Sequence, residues 1–209
     1  MSIFDISSDP YLEFLRQEAN RLDEHASNQF FLRLFTEHIF PEREWLVGTE
    51  VPPRDHHCQL RTDIAVRKLE HEPSGRRVLT FRLMGQGKRG RAGPADIGEV
   101  EVQAYQLCQA YLIESNASSV WAITYFGSKA RLWVCLLRHD SGWLEAFYPR
   151  RGGDGERDAY RDIREYEAEF IWAFGHVKAI PLPDLQTIDD IYRGVGGQPY
   201  ALPGSSTQS

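Results

Sequence analysis

The stretch LMGQGKRG (Leu83–Gly90) ends a run, RRVLTFRLMGQGKRG, that begins as an apolar strand and finishes in glycines and positive charge. Gln86 and Lys88 are two residues apart, so on an extended chain they point to the same side. Asp63 stands at the start of an earlier segment, RTDIAVRKLE (61–70), whose alternation around Ile64, Val66 and Leu69 predicts a strand. If the two strands pair as a hairpin through the EPSG turn (72–75), a carboxylate, a carboxamide and an ammonium meet at one end of the sheet, subject to register. The plainer alternative makes Asp63 a turn cap and leaves Gln86 and Lys88 as solvated residues at a strand end.

Other spacings are weaker. GQGKRG is glycine-rich with a lysine, but it lacks the GxxxxGK[ST] order and no helix follows at once, so a phosphate-cradling loop is not expected. DHHC at 55–58 matches a palmitoyl-transferase motif in letters only, because that class needs membrane spans and a cysteine-rich zinc domain. Partial zinc ligation by His56, His57 and Cys58 lacks a suitably spaced fourth ligand. From Pro73 to Ala95 the chain carries Arg76, Arg77, Arg82, Lys88, Arg89 and Arg91 and no acid. That is either a local basic face for nucleic acid or a charged strand edge that suppresses aggregation. Trp121, Tyr125, Phe126 and Trp133 read as core before base-stacking platforms.

The elements that must position these residues follow from periodicity. Residues 9–25 have helical spacing at Leu12, Leu15, Ala19 and Leu22, and Ser27 or Asn28 can cap a second helix that ends at Pro41. Strands are predicted over 45–53, 61–70 and 76–88, followed by a flexible basic loop, RGRAGPADIG. Asp96 can cap a helix over 97–115 whose apolar positions suit packing on a sheet. SVWAITYFG (119–127) and KARLWVCLLR (129–138) read as a hairpin, 143–149 as a short strand and 159–178 as a helix. Three strands with short links imply an antiparallel meander, and a helix before the fourth implies a parallel crossover. The fold class is therefore α/β, with one mixed central β-sheet flanked by helices. Residues 1–193 form a single domain and the Gly-, Pro- and Ser-rich tail, 194–209, is expected to be disordered.

Composition agrees with one such domain. The chain has 209 residues, 42% hydrophobic, with net charge −6 and acids gathered in Asp154–Glu169 and Asp184–Asp190. No apolar run reaches the roughly 18 residues of a membrane helix, and the N-terminus lacks the order of a signal peptide, so no membrane partner is expected. Three widely spaced cysteines (Cys58, Cys108, Cys135) read as reduced thiols of an intracellular protein, nuclear or cytoplasmic, since GKRGR is too short to assign a compartment.

Asp63, a strand-end triplet ending in Lys, and a following helix with Gln and Tyr resemble the PD-(D/E)XK nuclease superfamily, whose fold is restriction-endonuclease-like. RTDI stands where Pro-Asp is common, and QGK (Gln86–Lys88) where Glu–any–Lys is expected. EVEVQAYQLCQAYL resembles the following helix and VWAITYFGSKARLWVCLL the hairpin after it, over about residues 30–140. In particular the run resembles uncharacterised fungal members with a Glu-Gly-Lys-Arg form of the triplet.

The resemblance implies Mg²⁺- or Mn²⁺-dependent hydrolysis of nucleic acid phosphodiesters. It makes Asp63, Gln86 and the Gly87 carbonyl metal ligands and Lys88 the catalytic cation. Glu37 would be an added acid from an N-terminal helix, with Glu50 a weaker candidate. Arg89, Arg91 and Gln103 would contact substrate, although the usual Gln-three-any-Tyr spacing is not met at Gln103. The departure is Gln86, whose amide keeps one carbonyl oxygen but has lost a charge. Three readings follow: a site working with Gln and other acids, a degenerate nuclease kept for binding, or an introduced Glu→Gln change. The alternative function is a non-catalytic module of the same fold that binds a partner protein or nucleic acid.

Overall fold

The computed structural model describes residues 8–53, 60–72, 74–137 and 143–194. The DHHC stretch and all of the predicted tail beyond Gly194 lie outside the described residues.

Asp9 starts the first helix, α1 (Pro10–Arg21), by accepting the backbone N–H groups of Tyr11 and Leu12 at 2.9 and 3.1 Å. The second, α2 (Glu24–Arg33), is capped by Asp23, so it begins earlier than Ser27 or Asn28 would place it. Those two polar side chains are spent on the sheet instead. Ser27 Oγ accepts the Gly127 N–H at 3.0 Å, and Asn28 Oδ1 accepts the Tyr125 hydroxyl at 2.7 Å. The helix widens into a π-helical turn over Leu34–Ile39 before Pro41.

Among the described residues seven strands form one mixed sheet: β1 (Trp45–Gly48), β2 (Ile64–His71), β3 (Arg77–Lys88), β4 (Ser119–Phe126), β5 (Lys129–Leu136), β6 (Leu144–Tyr148) and β7 (Arg161–Asp162). The spatial order is β1-β2-β3-β4-β5-β6, with β7 also pairing with β5. Every pairing is antiparallel except β3 with β4, which are joined by the crossover helix α3 (Pro94–Ser115). The expected meander, crossover and hairpin are all present. The first strand is shorter than the predicted 45–53, because the chain turns at Glu50 (φ 54°) and only Val51 returns, to bridge Thr62.

Alternation sorts the side chains. Ile64, Val66, Leu83, Trp121, Ile123 and Tyr125 face α1, α2 and the helix α4 (Glu167–Ala179). Met84, Ala122, Trp133 and Cys135 face α3, against Ala104, Leu107, Cys108 and Tyr111. β4 is buried along its whole length, as a central strand covered on both faces must be. Cys108 and Cys135 are buried free thiols.

Two departures lie near the C-terminus. The predicted helix over 159–178 is helical only from Glu167. Asp162 Oδ1 accepts the N–H groups of Arg164 and Glu165, and its other oxygen accepts the Ser128 hydroxyl, which fixes a turn and the short β7. The acidic stretch around Asp184 is a further helix, α5 (Leu185–Gly194). Asp184 accepts the Thr187 N–H, and Ile188, Ile191 and Tyr192 dock on the core. Among the described residues no helix is long and apolar enough to cross a membrane.

Candidate functional site

The β2–β3 register places Ile64 opposite Gly85, and Asp63 continues the pairing by donating its N–H to the Gly85 carbonyl at 3.0 Å. Two side-chain bonds then lock the strand ends in opposite senses. Asp63 Oδ2 accepts the Gly87 N–H at 2.7 Å, and Gln86 Nε2 donates to the Arg61 carbonyl at 2.7 Å. Thr62, between them, is buried and anchored to the Val51 carbonyl through both its N–H and its hydroxyl.

The glycines answer to the opposite face. A Cβ on Gly87 would lie 2.8 Å from both Asn28 Oδ1 and Tyr125 Cζ, and one on Gly85 would lie 3.2 Å from Ile123 Cγ2. Along Gly85–Lys88 the α2 side therefore bears no side chain, while Gln86 and Lys88 project on the α3 side. Gln86 is 6% exposed, so it is not a solvated strand-end residue.

Asp63 receives charge from both sides. Its pKa is pushed up to about 6, first by burial and then by the carboxylates of Glu24 and Glu50, while the Gly87 hydrogen bond and the Lys88 ammonium pull it down. The Tyr125 phenol is pushed well up, by burial and then by Asp63, Glu24 and Glu50, so it stays a donor to Asn28. Asp63 thus lies where the field of Glu24, from the α2 layer, overlaps that of Lys88. A carboxyl group that changes charge near neutral pH, close to a cation, can exchange a proton or hold a polar ligand.

The other predicted residues fall as follows. Lys88 Nζ lies 3.7 Å from Glu99 Oε2 on α3, and Glu99 accepts the Gln103 amide at 2.9 Å, so Glu99 links Gln103 to Lys88. Arg89 is exposed and lies 3.9 Å from Asp96, and Arg91 is exposed. The loop between β3 and α3 is anchored, with Ala92 buried and the Gly90 carbonyl accepting from Arg157. Asp96 is not the cap itself. It sits in the first turn of α3 and accepts the Gly93 N–H.

Glu37 belongs to a different cluster, 3.5 Å from Arg33, which also reaches Asp9. The helix acid that acts on Asp63 is Glu24, and Glu50 acts with it. Sequence reasoning missed Glu24 because it started α2 too late; Asp23 was the available cap signal. It also missed Glu99, one helical turn before Gln103. The six positive charges of 76–91 do not form one face. Arg77 and Lys88 stand at opposite ends of β3, about 36 Å apart at the usual strand rise. Arg82 is buried and paired with Glu70.

The donors present fall short of a resident divalent cation. A hard ion such as Mg²⁺ needs about six oxygen ligands, carboxylates foremost. Here one oxygen of Asp63 is committed to a backbone N–H, and the residue beside it is a neutral amide whose NH₂ is held by Arg61. Among the described residues no group of three or more His, Cys, Asp or Glu side chains is placed to hold a metal. Comparison with family models, with curated proteins and with solved structures gives no match.

Proposed function

We propose that the chain is a PD-(D/E)XK nuclease-like protein whose phosphodiester hydrolysis is weakened or abolished by Gln86. One observation carries this reading: the Asp63 carboxylate bonds to the backbone of the Gln86–Lys88 triplet across the β2–β3 pair, at Gly87. The order of elements supports it, with three antiparallel strands, a crossover helix and a parallel fourth strand. Lys88 is the group that would stabilise charge on a phosphate. A glutamate at 86 would supply the second acid that the resemblance expects, a charge the amide does not replace.

A second reading is favoured by the Gln86–Arg61 bond. An amide used as a buried structural clamp suits a non-catalytic module of the same fold that binds nucleic acid or a partner protein. Cleavage of plasmid DNA and of RNA in Mg²⁺ or Mn²⁺, by the chain as given and by Gln86→Glu, separates the two. Turnover that appears or rises in the variant supports a muted nuclease. Inactivity of both, with no metal-dependent thermal shift, supports the binding module.

A further inference from the structure

The α3 layer covers only part of its side of the sheet. Its buried residues pack on Met84, Val120, Ala122, Trp133 and Cys135, which belong to β3, β4 and β5. On that same side, β1 and β2 and the start of β3 carry Leu46, Arg67, Leu69, Leu79 and Phe81. The register pairs Leu46 with Arg67, Arg67 with Phe81, and Leu69 with Leu79, so these side chains form adjoining rows. Leu46, Leu69 and Leu79 are 43, 38 and 45% exposed. Phe81 is partly buried against the edge of α3, with its ring 4.9 Å from that of Tyr111. Scattered exposed leucines need no explanation, but contiguous rows on one sheet face do.

Arg67 makes the patch specific. Its guanidinium lies over the Phe81 ring at 5.9 Å, and its Nε is buried with no hydrogen-bond partner. Glu70, on the same strand, is taken by Arg82. Among the described residues Arg67 has no carboxylate partner. A half-buried guanidinium without a carboxylate partner among the described residues, ringed by leucines, is complementary to a carboxylate carried on an apolar surface. Strands β1 to β3 span about 10 Å, the width of one helix beside α3.

We infer that the outer face of β1–β2–β3 docks an amphipathic helix of a partner protein, which sets an Asp or Glu on Arg67 and apolar side chains on Leu46, Leu69 and Leu79. This surface is separate from the Asp63–Lys88 site and stands whether or not that site cleaves phosphodiesters.

The test uses a displayed library of randomised helical peptides, selected on the full chain and counter-selected on a Leu69→Asp/Leu79→Asp variant. Recovered peptides are expected to carry an acid flanked by apolar residues at three- and four-residue spacing. Their affinity should fall at least tenfold for Arg67→Glu and return when the peptide acid is changed to Lys. Methyl resonances of Leu46, Leu69 and Leu79 in the unaltered chain should shift on binding, a readout that does not depend on the variants folding. Peptides that bind Arg67→Glu equally well, or that shift other methyl groups, would overturn the inference. So would a dimer of the chain that Leu79→Asp dissociates, since a second copy would then cover the face.

Discussion

Asp63 and Gly87 are joined across two strands by a carboxylate that accepts a backbone N–H at 2.7 Å. That bond ties the start of β2 to the end of β3 and sets the carboxylate on the Gly87 backbone, within the field of Lys88. It also commits one of the two oxygens that a ligand could use.

The ionisation of Asp63 should be visible in stability. Its pKa stands at about 6 in the fold, against an ordinary 3.8. A raised acid contributes fully below the unfolded value, and the contribution is lost as pH rises through the folded one. A displacement of this size corresponds to roughly 3 kcal/mol. Asp63→Asn keeps an acceptor for Gly87 and removes the charge. Its stability relative to the parent, from urea midpoints, is expected to improve by up to that amount between pH 4 and 7. A difference that stays flat with pH would argue against a buried, crowded carboxylate.

Gly87 tolerates no side chain. Gly87→Ala drives a methyl group into Tyr125 and Asn28 and should cost about 2 kcal/mol or more. Adding Tyr125→Phe should not restore the loss, because the clash is with the ring and not only with the hydroxyl. Urea denaturation of the single and double variants checks this; full stability in Gly87→Ala would contradict the packing described here.

A buried polar network secures the chain around residues 149–160. Arg131 donates to the Gly152 and Gly153 carbonyls, each at 2.8 Å, and Glu101 accepts the Gly155 N–H at 2.7 Å and the Tyr160 hydroxyl at 2.9 Å. Arg131→Met strands these carbonyls and leaves buried Glu101 without its nearby cation, at a cost of about 3 kcal/mol. Glu101→Gln keeps one acceptor and should cost about 1 kcal/mol. Limited proteolysis is expected to cut Arg131→Met first within 150–156. Unchanged cleavage there would mean that the loop is held by other contacts.

Much of the sheet was legible because its signals are local. Alternation marked β2 and β3, the Gly-Ser turn marked the β4–β5 hairpin, and the helix between β3 and β4 dictated a parallel pair. What was hidden depends on distant partners. Ser27 and Asn28 look like caps, yet they serve Gly127 and Tyr125, about a hundred residues away. Asp162 interrupts a helical pattern because Ser128 holds it. In the site, strand pairing alone brings Asp63 to the backbone of the Gln86–Lys88 stretch, at Gly87. Glu24 and Glu99 come from two different helix layers, and no spacing in the chain reports their approach. The charge-rich run 76–91 left two readings open for the opposite reason: neighbours in sequence are spread along one long strand and the loop after it.

Single-turnover cleavage of plasmid DNA and RNA in Mn²⁺ decides whether Asp63, Gln86 and Lys88 form a nuclease-like site muted by its amide. The chain as given is compared with Gln86→Glu and with Gln86→Glu/Lys88→Met. Gln86→Glu is expected to cleave at least tenfold faster than the parent, with the gain abolished by EDTA and by the loss of Lys88. Equal or absent cleavage in a folded Gln86→Glu protein, or a gain that survives Lys88→Met, would contradict such a site.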